Sequence, residues 1–130
     1  MLEIQLIQPE KSPGYTNNSR TGCYVPLGLL SIATYAQQQF PDARIEVLDG
    51  ELISNSEIIK RLKPKAIVGI DTKTPNYASA VEIVDAAKIK GCKVVVGGVY
   101  ASAIPEKIRL YRKSIDHIVV GFGEKPFVDI

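Results

Sequence analysis

The chain has 130 residues, of which 45% are hydrophobic and 23% charged, and its formal net charge is +2. This length suits a single domain, residues 1–130, and the small charge gives no reason to expect nucleic acid or an anionic membrane as a partner. The chain does not open with a signal-peptide pattern and has no apolar run of about 20 residues, so we expect a cytoplasmic protein.

Short apolar runs alternate with longer amphipathic segments, and this alternation predicts strands and helices in turn. The runs are rich in β-branched residues, which suit the packed surface of a sheet. They predict five strands, at residues 3–8, 44–48, 66–70, 93–96 and 117–120. The irregular stretch 9–25 follows the first strand, and its length is typical of a functional loop.

The first two helices are predicted from proline and capping signals. Pro26 opens the first helix, which runs to about Gln39, because proline at the first helical position loses no needed hydrogen-bond donor. Its predicted apolar side consists of Leu30, Ala33, Tyr35 or Ala36, and Phe40. The second helix begins at the S-x-x-E capping box of Ser54 and Glu57 and ends before Pro64. Its predicted apolar side consists of Ile58, Ile59 and Leu62.

The third helix has the clearest periodic pattern. It follows Thr74 and Pro75 and ends at Gly91, which supplies a left-handed terminating residue. Its predicted apolar side consists of Tyr77, Ala80, Val81, Val84 and Ala87 or Lys88. A fourth helix is predicted to begin near Pro105 and to carry Ile108 and Tyr111.

This order of elements predicts an α/β fold with a doubly wound parallel sheet, Rossmann-like or flavodoxin-like, with strand order 2-1-3-4-5. Ligands of such sheets bind beyond the carboxyl ends of the strands, at the switch point between strands one and three. A fifth helix at residues 124–130 is truncated to little more than one turn. We therefore expect that the truncated helix leaves apolar sheet surface over strands four and five exposed, and that another domain, another chain or a dimer mate covers it.

The candidate binding residues lie at the predicted carboxyl ends of three strands. Gly97 and Gly98 follow strand four, and 121–124 (GFGE) follow strand five, so a bulky ligand could approach the backbone, although tight turns would use the same glycines. Thr72, Thr74 and Pro75 offer hydroxyls and a helix start that could hold an amide or phosphate group or cap the third helix.

The remaining polar residues do not form a catalytic pattern. Asp71 ends strand three, as in receiver domains, but Gln8-Pro9 and Gly121 stand where a receiver needs acidic residues and a lysine. His117, the only histidine, begins strand five away from the predicted crevice and favours a structural role, and Asp49 and Glu51 favour solvated positions. The two cysteines have neither metal-binding nor redox spacing. We predict no catalytic residue and no metal site.

An ordered set of motifs resembles the N-terminal cobalamin-binding domain of B12-dependent radical SAM enzymes, from about residue 2 to 126. The motifs are 25–30 (VPLGLL), Asp49, 68–70 (VGI) with Thr72, Thr74 and Pro75, 94–101 (VVVGGVYA) and 120–124 (VGFGE). The resemblance implies a corrinoid laid across the carboxyl edge of the sheet. The matching positions are Leu27, Gly28, Thr72, Thr74, Pro75, Gly97, Gly98, Val99, Tyr100, Ala101, Gly121, Phe122, Gly123 and Glu124.

Whole enzymes of this resembling family use S-adenosylmethionine and an iron-sulfur cluster for methylation, ring formation or ring contraction. The chain has no C-x-x-x-C-x-x-C, so the cluster and S-adenosylmethionine would belong to a missing domain or partner. It also lacks D-x-H-x-x-G, which implies a cobalamin without a protein histidine below cobalt. Tyr100 and Phe122 replace the usual histidine of G-G-x-H-A and acidic residue of G-E-G-E.

Two alternative hypotheses remain in addition to the cobalamin-binding module. One is a cofactor-free interaction or remnant domain with the same fold, which Tyr100, Phe122 and the truncated fifth helix favour. The other is a small enzyme acting on a nucleotide-like ligand, for which the sequence offers no base or nucleophile.

Overall fold

The structure, a computed structural model, describes residues 2–10, 27–73, 76–98, 115–119 and 127. Its elements in chain order are β1 (Glu3–Gln8), α1 (Leu27–Gln39), β2 (Arg44–Asp49), α2 (Asn55–Arg61), β3 (Ile67–Asp71), α3 (Tyr77–Ile89), β4 (Lys93–Gly97) and β5 (His117–Ile118). The five strands form one parallel sheet with the order β2-β1-β3-β4-β5. The predicted fold class and strand order are therefore confirmed.

The strand bounds differ from the prediction by one or two residues. β2 and β4 each include one more residue, β3 begins and ends one residue later, and β5 ends at Ile118. The predicted fourth helix, with Pro105, Ile108 and Tyr111, lies outside the described residues. Among the helices that the structure describes, none combines the length and apolar character needed to cross a bilayer.

One face of the sheet is covered by α2 and α3. Alternate strand residues point to opposite faces, so Ile7, Val68, Ile70, Val94 and Val96 face these helices. The buried apolar residues are Ile58 of α2 and Leu62 directly after it, and from α3 they are Ala80, Ile83, Val84 and Ala87. This layer is the larger of the two core clusters in the described part of the chain.

Two helix predictions need correction at the level of single residues. In α3, Ile83 is buried whereas the predicted Val81 is only half buried, because the helix turns its Ala80–Val84 side to the sheet. At the start of α2, Ser54 Oγ accepts a hydrogen bond from Glu57 N at 3.2 Å, which confirms one half of the capping box. The Glu57 carboxylate pairs instead with Arg61 Nε at 2.9 Å.

The opposite face packs against α1, on a different side of that helix than predicted. Leu29 and Ala36 are buried, and Ile32 and Ala33 are packed beside them, whereas Leu30 and Phe40 are each 39% exposed. The spacing 29, 32, 33, 36 is the i, i+3, i+4, i+7 pattern, so it faces the sheet as one stripe. The prediction of Leu30 and Phe40 on the buried side was wrong because it began this pattern one residue late.

Phe127 also covers this second face. Its side chain is 8% exposed, and it packs in one cluster with Leu6, Val95 and Leu29. The ring lies over Gly69, where a Cβ would come within 3.1 Å of Phe127 Cε1 and 2.8 Å of Leu6 Cδ2. Because Val95 is only 2% exposed, the expectation of exposed apolar surface over β4 was wrong at this position.

Asp116 attaches the start of β5 to the sheet. Its Oδ2 accepts hydrogen bonds from Lys88 Nζ at 2.8 Å and from Val94 N at 2.7 Å. Burial alone would raise the pKa of Asp116, but the hydrogen bonds from Lys88 and Val94 and the nearby positive charges outweigh it, so the pKa is lowered. The carboxylate thus stabilises the fold while it stays ionised.

Gly69→Ala tests the packing of Phe127 on β3. The new methyl group would overlap Leu6 and press on Phe127, so we expect the free energy of unfolding to fall by about 1–3 kcal/mol. Gly28→Ala in α1 is the control, because no atom of the described residues lies within 4 Å of its Cβ position, and alanine favours a helix by about 0.5–1 kcal/mol. Urea denaturation measures both variants, and equal stability of Gly69→Ala and wild type would contradict this packing.

Candidate functional site

The last residues of four neighbouring strands form one row at the carboxyl edge of the sheet. Gln8 is the register partner of Asp49, and Asp71 is the partner of Gly97. Ile7 pairs with Ile70, which places Gln8 beside Asp71 across the switch point between β1 and β3. All four follow by two residues a position that faces α1, so they share that face. We call Asp49, Gln8, Asp71 and Gly97 the edge row.

Hydrogen bonds connect the polar members of the edge row. Gln8 Nε2 donates to Asp49 Oδ1 at 3.0 Å, and Lys73 Nζ donates to Gln8 Oε1 at 3.2 Å. Lys73 Nζ also lies 3.5 Å from Asp71 Oδ2. Asp49, which we expected to be solvated, is half buried and accepts a second hydrogen bond from Glu51 N at 2.9 Å. The row is therefore held in one arrangement across three strands.

The turn after β3 places Lys73 at this edge. Asn76, only 4% exposed, accepts a hydrogen bond from Lys73 N at 2.8 Å through Oδ1. Its Nδ2 donates to the backbone oxygen of Asp71 at 3.3 Å, and its own N–H donates to Lys73 O at 3.1 Å. An asparagine side chain stabilises a turn well because it both accepts from and donates to the backbone.

Thr72 joins the ends of β3 and β4. Its N–H and its Oγ1 both donate to Gly97 O, at 2.8 and 2.6 Å, and the residue is 1% exposed. The hydroxyl proton is therefore used inside the fold. This link fixes the position of the Gly97 backbone relative to Asp71.

Gly98 packs its Cα directly against β3. Its φ of +97° lies in the region that favours glycine, and a Cβ there would overlap Asp71 Oδ1 and the Thr72 backbone. Gly97 differs, because its Cβ position meets only Val119, at 3.7 Å, which is an ordinary contact distance. The fold thus requires glycine at 98, whereas no contact among the described residues requires glycine at 97.

Partial burial of its side chain destabilises the charged form of Asp71. Burial raises its pKa, and the opposing attraction and hydrogen bond of Lys73 do not fully compensate. A carboxylate whose pKa is raised by burial is frequent among ligand-binding and catalytic residues, and Asp71 stands at the carboxyl edge, where sheets of this kind bind ligands.

The structure brings together three of the predicted binding residues, Thr72, Gly97 and Gly98. Leu27 and Gly28 begin α1, and Gly28 is exposed. The remaining predicted positions lie outside the described residues: Thr74, Pro75, Val99, Tyr100, Ala101, Gly121, Phe122, Gly123 and Glu124. His117 begins β5, as predicted, and is the register partner of Val95, two residues before the end of β4.

Five polar residues of the site were not predicted as binding residues. They form the edge row and its turn: Gln8, Asp49, Asp71, Lys73 and Asn76. A signal was present, because Gln8, Asp49 and Asp71 each end a strand with a polar residue. The three strands are neighbours in the predicted order, so their last side chains had to meet.

Comparison with protein-family models matches residues 16–130 to the B12-binding family, described as the B12 binding domain. The match covers most of the chain, so the chain belongs to the B12-binding domain family. The resemblance to a cobalamin-binding domain is thereby confirmed. A search of curated proteins gave no match.

The residues at the carboxyl edge fit a corrinoid. A flat macrocycle needs close approach to the backbone, and Gly97 has no side chain on the face that α1 shares; among the described residues, only Val119 lies within 4 Å of its Cβ position, at 3.7 Å. The amide side chains of a corrin ring need fixed donors and acceptors, and the edge row supplies carboxylates, an amide and an ammonium group.

Asp71→Asn tests the cost of the buried charge. A raised pKa means that the contribution of Asp71 to stability is complete below the ordinary pKa of about 3.9 and is lost as the pH rises through the folded value. At pH 7 we therefore expect Asp71→Asn to be at least as stable as wild type. This advantage should shrink on acidification, as measured by urea denaturation across the pH range.

Asp116→Asn is the matched control, for which we expect the opposite effect on stability at pH 7. Its lowered pKa means that the carboxylate stabilises the fold above its ordinary pKa, and this contribution is lost as the pH falls through the folded value. We expect Asp116→Asn to be less stable than wild type at pH 7, with a deficit that shrinks in acid. If Asp71→Asn behaves like Asp116→Asn, the Asp71 charge is not penalised by burial.

Proposed function

We propose that this chain binds cobalamin over the edge row, without a histidine ligand to cobalt, as the corrinoid-binding part of a radical SAM methyltransferase or cyclase. The observation that carries the proposal is Gly97, a strand-end position without a side chain, beside the fixed polar side chains of Gln8 and Asp71. This combination allows a flat ligand to approach one strand end while its rim amides meet polar groups on the next.

Gly28 and Gly97 support the same assignment. No described contact requires either glycine, because among the described residues a Cβ at 28 meets no atom within 4 Å and a Cβ at 97 meets only Val119 at 3.7 Å. Glycine inside a helix costs about 0.5–1 kcal/mol relative to alanine, so an unneeded glycine at the start of α1 favours a role in ligand approach. Both positions match the cobalamin-binding motifs.

The chain's one histidine supports a cobalamin without a protein ligand from below. His117 lies within the sheet beside Val95, and Val95 precedes the edge position Gly97 by two residues. At about 3.3 Å per residue, this separation sets His117 back from the edge. We propose that the nearest groups to the corrin ring are the backbone of Gly97 and Gly98 and the side chains of the edge row.

The residues of the chain would hold and orient the cofactor. Bound cobalamin supplies a cobalt that can carry a methyl group. The edge row would fix the rotation of the ring through its rim amides, and Asn76 would keep Lys73 aimed at Gln8 and Asp71. The proposed contacts also include Thr74, Pro75, Val99, Tyr100, Ala101 and residues 121–124, from the motif resemblance.

The catalytic chemistry would come from outside this chain. The sequence has two cysteines and no C-x-x-x-C-x-x-C, so the iron-sulfur cluster and S-adenosylmethionine would be held by another domain of a longer protein or by a partner chain. Because the cofactor lies at the carboxyl edge in this proposal, the catalytic domain has to face that edge. A homodimer mate is the alternative partner.

An anaerobic titration with hydroxocobalamin and methylcobalamin tests cobalamin binding. We expect a stoichiometric complex that survives gel filtration, with the visible spectrum of the base-off form in methylcobalamin. Folded protein that retains neither corrinoid at concentrations well above micromolar would contradict the proposal. It would favour the alternative, a cofactor-free interaction or remnant domain with the same fold.

Gly97→Ala tests close approach of the ligand to the edge. The methyl group fits beside Val119, so we expect unchanged stability and corrinoid binding weakened by at least about tenfold, from overlap with the ligand. Gly91→Ala is the control, because its φ of +77° makes alanine costly at the opposite end of β4. It should lower the melting temperature and leave the affinity unchanged. Full binding by Gly97→Ala would place the ligand elsewhere.

A further inference from the structure

The edge row and Lys73 together carry more negative than positive charge. Asp49 and Asp71 contribute two carboxylates, and Lys73 contributes the one ammonium group that contacts the row within the described residues. The charges lie on the face toward which a side chain at Gly97 would point. A ligand group placed there meets a net negative surface.

Among the described residues, the hydrogen bonds within the row leave two carboxylate oxygens without a donor, Asp49 Oδ2 and Asp71 Oδ1. The Gln8 amide is used on both sides, because Nε2 donates to Asp49 and Oε1 accepts from Lys73. Lys73 divides its ammonium group between Gln8 and Asp71 Oδ2. Asp71 Oδ1 lies against the Cα of Gly98, and no donor among residues 2–10, 27–73 and 76–98 hydrogen-bonds to it.

The position of Asp71 is fixed before any ligand arrives. Its strand is joined to β4 by Thr72, its backbone oxygen accepts from Asn76, and its Oδ2 pairs with Lys73. The side chain is 21% exposed, and Oδ1 has no hydrogen-bond donor among the described residues. A buried carboxylate short of hydrogen bonds gains more from a new donor than an exposed one does.

We infer that Asp71, held by Lys73, makes this site selective for corrinoids whose rim side chains are carboxamides over those whose rim side chains are carboxylates. This inference rests on the proposed function. A rim carboxamide donates an N–H to Asp71 Oδ1 and leaves the row's charge unchanged. A rim carboxylate cannot donate, and it adds a second negative charge beside Asp71 with Lys73 already shared between two acceptors.

The selectivity relates this site to one class of reaction in corrinoid biosynthesis. A corrinoid with carboxylate rim groups becomes one with carboxamide groups by amidation. The site would therefore load the product of that class of reaction and reject its unamidated substrate. The discrimination resides in side chains rather than in the glycine backbone, so it can be removed without closing the site.

Cobinamide and cobyrinic acid are suitable probes, because both lack the nucleotide tail and they carry carboxamide and carboxylate side chains respectively. We expect wild-type protein to bind cobinamide at least about tenfold more tightly than cobyrinic acid at low ionic strength. Asp71→Asn should reduce this ratio by about threefold or more, by removing both the acceptor and the repelling charge. Higher salt should narrow the wild-type ratio, since the row is partly exposed.

Asp116→Asn is the matched control, since it makes the same change in net charge and lies in a carboxylate–lysine pair at the start of β5. It should keep the wild-type ratio. A wild-type ratio near one, or a ratio that Asp71→Asn and Asp116→Asn leave equally unchanged, contradicts the inference alone. Failure of folded wild-type protein to bind either probe, and cobalamin as well, contradicts the proposed function and the inference with it.

Discussion

The parallel pairing of β1 with both β2 and β3 is the constraint on which the site depends. Because these strands run in register, Gln8, Asp49 and Asp71 end side by side, on the same face and at the same edge. One residue of slip in β1 would turn Gln8 to the opposite face and break its contacts with Asp49 and Lys73. The register is itself fixed by burial, since Leu6 and Ile7 must each reach a different core layer.

The sequence predicted the elements well because strand and helix patterns depend on local periodicity. β1 has the predicted bounds, and Gly91 ends α3 in the left-handed conformation as expected. The side of α1 that packs was misjudged because its run of apolar residues offers two overlapping stripes, and only contact with the sheet selects the one through Leu29 and Ala36. Phe127 over Gly69 could not be predicted, since the two residues are far apart in sequence.

The sequence predicted the glycines of the site but not its charged residues. Gly97 and Gly98 follow a clear strand and therefore had to lie at the edge. Lys73 had no such signal, because its direction depends on the hydrogen bonds that Asn76 makes with the turn. Asp71 shows why stability alone does not explain the residues at this edge. Burial raises its pKa, so a neutral residue at this position would destabilise the folded chain less than the charged carboxylate does.

The glycines separate what the fold needs from what a ligand needs. A side chain at Gly69 would press on the Phe127 ring, and one at Gly98 would overlap Asp71 Oδ1. Packing within this chain therefore explains the glycine at each of these two positions. At Gly97 a methyl group would fit beside Val119, which leaves the absence of a side chain unexplained by any described contact. Gly97 and Gly98 are adjacent, yet contacts within the described residues require only the second. Close approach of a ligand to the backbone is a physical reason for glycine at 97, and this is the reason that the proposed corrinoid site uses.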